Sequence, residues 1–167
     1  MTTSNPFSYF LTFLFLICFW VSIQISYAQK TKKLKADDYT EILQLYFTYP
    51  IVLDSGDGEA FADLFTEDGA FGDKVIGRQA LIEFATREPR NIRHAPLTPL
   101  IVPTETGAKG IVVNLFVDVS ESPAQITRIS QYTDTLVKTS KGWKFKSRVN
   151  GTADLRDPKS TLYQEIN

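Results

Sequence analysis

The sequence predicts an α+β domain: three N-terminal helices packed on a curved, mostly antiparallel sheet. Two observations carry this. Apolar residues recur at helical spacing between Asp37 and Arg87, and from Arg93 onward the period changes to two. Gly107, Ser120 to Pro123, and Ser140-Lys141-Gly142 then divide the second half with turn residues, so its strands are expected to follow one another as a meander.

Taken in order, Tyr39, Ile42, Leu43, Tyr46, Tyr49, Pro50 and Leu53 share one helical spacing, which predicts an amphipathic helix from Asp37 to Leu53. Asp37 and Asp38 suit its first turn, where carboxylates meet free amides and the positive end of the dipole. Pro50 lacks a backbone donor and is expected to kink or end the last turn. Asp57 then caps a short second helix running through Phe65, with Phe61, Leu64 and Phe65 inward. Gly69 to Gly72 reads as a brief strand or turn. Arg78 to Arg87, with Leu81, Phe84 and Ala85, is a third helix stopped by Pro89. Four long strands follow: Arg93 to Val102, Gly110 to Val119, Gln125 to Lys138, and Trp143 to Val149. In the last, Trp143, Phe145, Ser147 and Val149 alternate with Lys144, Lys146, Arg148 and Asn150, which assigns the first set to the buried face and the second to water.

The ends of the chain read differently. Residues 1–28 carry no charge, Phe7 to Ile25 is almost wholly apolar, and Ser26-Tyr27-Ala28 closes the run with small residues at its first and last positions. This is the layout of a secretory signal cleaved after Ala28. The run also approaches the roughly 20 residues of a membrane-spanning helix, so an uncleaved anchor is the alternative. The expected organisation is a signal peptide at 1–28, a basic leader at 29–36, one domain at 37–150 and a polar tail at 151–167, in a secreted or periplasmic protein. Cys18 is the only cysteine, so a cleaved chain has no disulfide and must be held by packing. Eighteen basic and 19 acidic residues give a net charge of −1. Apart from Lys30 to Lys35 the basic residues are scattered, which argues against a nucleic-acid partner. One histidine and no mature cysteine make structural zinc implausible, and neither a phosphate loop nor a nucleophile elbow is present. No metal or cofactor is therefore expected.

Several short strings carry a family resemblance. They are the Asp54-x-x-Asp57 break, Leu64-Phe65-Thr66-Glu67-Asp68-Gly69, Ile76-Gly77-Arg78 opening a helix, Arg93-His94, and the closing run Tyr132-x-Asp134-x-Leu136-Val137 with Gly142-Trp143-Lys144-Phe145. In this order, over about residues 37 to 150, the chain resembles the SnoaL-like branch of the nuclear transport factor 2-like superfamily. The resemblance implies a cone-shaped α+β barrel with an internal pocket for a small apolar molecule, and a homodimer formed through the outer sheet face. It leaves the activity open, because one cone serves dehydratases, isomerases, cyclases and binding proteins. Dehydratase-type members place an aspartate at the end of the first long helix and a histidine early in the first long strand. Asp54 and His94 match those positions, with Tyr49 or Tyr46 as the accompanying tyrosine.

Each candidate has two readings. His94 is the only imidazole, the side chain whose unperturbed pKa is nearest neutrality, and with a carboxylate beside it becomes a proton-transfer group; alone, it is a strand residue bonded to backbone. Asp54 either orients His94 or caps a turn. Tyr49 and Tyr46 either polarise a substrate oxygen or belong to the core. Asn114, between Val112 and Phe116 on a central strand, either lines a pocket with Phe116 and Phe61 or bridges buried groups. Tyr132, Asp134 and Arg148 are read as fold-supporting. The expectation is an exported, cofactor-independent dehydratase or isomerase, with Asp54, His94 and Tyr49 as acid/base groups. The rival is a non-catalytic ligand-binding or dimerisation module of the same fold.

Overall fold

The structure, a computed structural model, describes residues 33–151. The expected signal, most of the expected basic leader and all of the expected polar tail but Gly151 fall outside them. The elements run α1 (Ala36–Ser55), α2 (Gly58–Ala62), β1 (Phe65–Phe71), β2 (Val75–Ile76), α3 (Arg78–Arg87), β3 (Ile92–Pro96), β4 (Leu100–Pro103), β5 (Ala108–Asp118), β6 (Gln125–Thr139) and β7 (Gly142–Gly151).

The α1 helix begins where its acidic residues allow. Asp38 Oδ2 accepts the Lys35 backbone N–H at 2.9 Å, while Asp38 Oδ1 accepts from Lys138 Nζ at 2.7 Å and Trp143 Nε1 at 3.0 Å. One carboxylate thus caps the helix and ties it to the sheet. Ile42, Leu45, Tyr46, Tyr49 and Leu53 form the buried face. Contrary to the expectation for Pro50, the helix runs past it to Ser55, since burial of Tyr46, Tyr49 and Leu53 on either side offsets one missing hydrogen bond. It stops at Gly56, whose φ of 74° is the left-handed conformation glycine adopts without strain.

Asp57 caps α2 as expected, accepting the Ala60 N–H at 3.0 Å. The helix does not reach Phe65, however. Phe65 opens β1, a strand longer than the brief Gly69–Gly72 element expected, which runs parallel to β7 with Phe65 opposite Phe145. The helices are therefore not one N-terminal block, because β1 and β2 intervene before α3. The expected Arg93–Val102 strand is two strands, β3 and β4, separated by Leu97-Thr98-Pro99. Both pair with β5.

Among the described residues the sheet has seven strands in the order β2-β1-β7-β6-β5-β3, with β4 also on β5. All pairings but β1–β7 are antiparallel. The sheet is open and does not close into a barrel. At the β3 margin a side chain from α1 bonds the backbone in place of a further strand.

The β7 strand corrects the alternation read from the sequence. Its register against β6 shifts between Leu136↔Phe145 and Thr135↔Ser147. That irregularity brings Phe145 and Arg148 to the same face, leaving Arg148 1% and Val149 50% exposed, the reverse of strict alternation. On this helix-facing side Arg148 stands opposite Asp134, which stands opposite Gly110. A Cβ at Gly110 would lie 1.9 Å from the Tyr46 hydroxyl, so the glycine provides the space through which Tyr46 reaches Asp134.

Candidate active site at the α1–β3 junction

Asp54 sits in the last turn of α1, and His94 is the central residue of β3. Continuation of α1 past Pro50 carries the carboxylate to the strand. Asp54 Oδ2 accepts the backbone N–H of His94 at 2.9 Å, and Asp54 Oδ1 lies 2.6 Å from His94 Nδ1. The two side chains are nearly buried, at 12% and 4% exposure. With both its oxygens committed to one residue, Asp54 fixes the ring's position. In the neutral ring Nδ1 carries the proton given to Asp54, leaving Nε2 with a free lone pair. The open groove beside the pair, about 480 Å³, is lined by Pro50, Ile51, Asp54, Ser55, Arg93 and His94.

Tyr49 is one turn before Asp54 on the buried face of α1. Its ring lies edge-on to that of His94, with centroids 6.3 Å apart. Among the described residues its buried hydroxyl has no hydrogen-bond partner, and burial holds it well above the usual phenol range, so it remains a neutral donor. Phe116 faces His94 across β3 and β5 and packs against its ring at 4.7 Å. Asn114 is one alternation further along β5, opposite Ser130 of β6. Both are buried, and among the described residues Asn114 Oδ1 and Ser130 Oγ have no bonding partner. Five predicted residues thus occupy one neighbourhood: Asp54, His94, Tyr49, Phe116 and Asn114.

Two others are placed differently. The Tyr46 hydroxyl donates to Asp134 Oδ2, and burial followed by the charge of Asp134 pushes its titration above the ordinary range. Phe61 is fully buried among Tyr49, Phe65 and Phe84, with centroids 5.4, 5.2 and 5.9 Å away. The geometry therefore gives Tyr46 and Phe61 supporting positions beneath the dyad.

The support beneath is a buried ion pair. Arg148 Nε and Nη2 each donate to Asp134 at 2.8 Å, a two-pronged match of guanidinium and carboxylate. Four rings surround the guanidinium carbon: Tyr49 at 4.1 Å, Phe145 at 4.3 Å, Tyr132 at 4.8 Å and Tyr46 at 5.2 Å. Burial opposes the Arg148 charge, but Asp134 more than offsets it and holds the group above its usual range. Burial likewise raises Tyr132 to about 12. Beyond Phe116 lies Arg128, whose guanidinium carbon is 3.6 Å from that ring's centroid. A lone arginine between Thr127 and Ile129 carries no sequence signal that would single it out. Among the described residues no group of three or more histidine, cysteine, aspartate or glutamate side chains is arranged to hold a metal ion.

Comparison with known proteins bears on the family and the fold. A sequence profile described as a SnoaL-like domain matches residues 35–149. The chain is 30% identical to a candidate scytalone dehydratase from Novosphingobium aromaticivorans, covering 67% of this chain and 81% of that one, with a TM-score of 0.55. It is 26% identical to Rv3472 from Mycobacterium tuberculosis, a protein of unknown function solved as a single-residue variant, covering 77% and 84% with a TM-score of 0.65. An NTF2-like protein with a cystatin-like fold, also from Novosphingobium aromaticivorans, is similar at 22% identity over 71% and 84%, with a TM-score of 0.65, and shows the fold alone. No curated protein matches the chain.

Proposed function

This chain belongs to the SnoaL-like family, with the α+β fold of NTF2-like proteins, and we propose that it is an acid/base enzyme of the dehydratase or isomerase type. The observation that carries the reading is the double engagement of His94 by Asp54, at 2.9 Å to the backbone and 2.6 Å to the ring. His94 Nε2 takes a proton from the carbon next to a carbonyl of a small cyclic hydroxy- or keto-compound. Asp54 stabilises the imidazolium so formed, and the Tyr49 hydroxyl donates a hydrogen bond to the oxygen gaining charge. In a dehydration the imidazolium returns the proton to the departing hydroxyl, which leaves as water while the carbon–carbon double bond forms. An isomerisation returns it to another carbon. The steps balance without a redox partner. In this reading Asn114 and Phe116 face the substrate from β5, Phe61 packs against Tyr49, and Tyr46 supports the site through Asp134.

The direct test is proton exchange in heavy water at the carbon beside the carbonyl of cyclic ketones such as 2-tetralone, followed by NMR. Exchange accelerated by the protein and slowed at least about 100-fold in His94→Ala supports the reading. Protein-dependent exchange unchanged in His94→Ala removes the imidazole from the chemistry.

A second reading keeps the fold as a non-catalytic ligand-binding module. In its favour, aromatic rings fill much of the interior around Tyr49 and Phe61, and a charged pair occupies its centre. Export through residues 1–28, and a homodimer formed by the outer sheet face where Ile129 and Val149 are half exposed, complete the proposal.

A further inference from the structure

His94, Phe116 and Arg128 form one row across three neighbouring strands on the helix-facing side of the sheet. Register places His94 opposite Phe116 and Phe116 opposite Arg128. The first two rings are 4.7 Å apart, and the guanidinium carbon is 3.6 Å from the second. A proton acceptor and a permanent cation are therefore separated by a single aromatic ring.

Arg128 differs from other arginines of the domain. Arg78 pairs with Glu59 and Asp63, Arg87 with Glu83, and Arg148 with Asp134. Arg128 is exposed, and among the described residues no carboxylate or carbonyl bonds it; its neighbour is the face of Phe116. Stacking on a ring fixes the plane of a guanidinium while leaving its N–H edges available, a geometry suited to a carboxylate. In the next row inward, the oxygens of Asn114 and Ser130, without a partner among the described residues, can accept a hydroxyl or amide proton.

We propose that the substrate is an organic anion, a cyclic hydroxy- or keto-carboxylate whose carboxylate pairs with Arg128 while the carbon losing its proton lies at His94. The assignment rests on the Asp54–His94 acid/base site and narrows its substrate from apolar compounds in general to acids of that shape. Asn114 and Ser130 take up a hydroxyl on the same ring, so a ring bearing both groups is held at two points and presents one edge to the imidazole.

The experiment compares 2-naphthoate with 2-naphthol, two probes of similar shape that differ in charge at neutral pH, binding to the exported protein by titration calorimetry. The expected result is tighter binding of the naphthoate by about tenfold, a preference that shrinks as salt is raised. Arg128→Gln should abolish the preference, Arg128→Lys should retain part of it, and His94→Ala should leave it intact. That last variant separates this proposal from the proton-transfer reading, which has its own exchange assay. Arg128 is exposed, so thermal unfolding of the Gln variant should match wild type. Naphthoate binding no tighter than naphthol, absence of binding by both included, overturns the proposal. So does a preference of wild-type size in Arg128→Gln.

Discussion

Asp54 meets His94 twice, once at the backbone and once at the ring, and so fixes both where the strand lies and how the imidazole is turned. An asparagine at this position keeps one oxygen for the backbone N–H but offers an N–H to Nδ1, which favours the tautomer protonated at Nε2 and removes the base. Asp54→Asn should therefore lower the rate of proton exchange by at least about 100-fold while the fold persists, checked by NMR exchange beside circular dichroism.

Tyr49 allows the proposed catalysis to be tested apart from stability. Among the described residues its buried hydroxyl has no hydrogen-bond partner, so Tyr49→Phe should leave the urea midpoint unchanged or slightly raised. If the hydroxyl donates to a developing oxyanion, turnover should fall by about 100-fold or more. Equal activity in the variant would return Tyr49 to the core.

The Asp134–Arg148 pair should prove costly to break and tolerant of joint replacement. Asp134→Ala leaves a buried guanidinium without its counter-ion and the Tyr46 hydroxyl without its acceptor, an expected loss of about 3–5 kcal/mol in urea unfolding. Replacing both partners, with Asp134→Leu and Arg148→Met together, should recover most of that loss, since two desolvated charges disappear at once.

Asp38 gives a pH dependence with a definite sign. Hydrogen bonds from Lys138, then Trp143 and the Lys35 amide, hold its carboxyl well below the usual aspartate range. A lowered folded value means the stabilisation is complete above the unfolded value of about 3.9 and is lost as pH falls below it towards the folded value. The stability gap between wild type and Asp38→Asn should be full at neutral pH and narrow in strong acid, measured by urea titrations that follow Trp143 fluorescence.

The sequence made some of this legible and concealed the rest for physical reasons. Helical spacing located α1 and α3, and alternation located β5 and β6, because each is amphipathic within its own window. His94 stands out in the sequence as the only histidine, but its pairing with Asp54 rests on the family resemblance, since nothing local joins two residues 40 positions apart. The β1 strand is hidden by Thr66-Glu67-Asp68-Gly69, a string with turn chemistry that lies at a register shift between Phe65 and Ala70, the residues through which the strand pairs in parallel with a partner far along the chain. Strict alternation assigns Arg148 to water, but it holds only until a strand is interrupted, and the shift after Phe145 turns the residue inward. Arg128 is invisible for a different reason: its place is set by one cross-strand neighbour, Phe116, and by His94 one strand further on.

The missing side chain at Gly110 binds two distant positions into one evolutionary choice. Tyr46 can touch Asp134 only while position 110 stays bare, so among relatives the two sites should drift as a unit. A homologue with alanine or anything bulkier there should have surrendered the phenol at 46 and found some other companion for its central carboxylate.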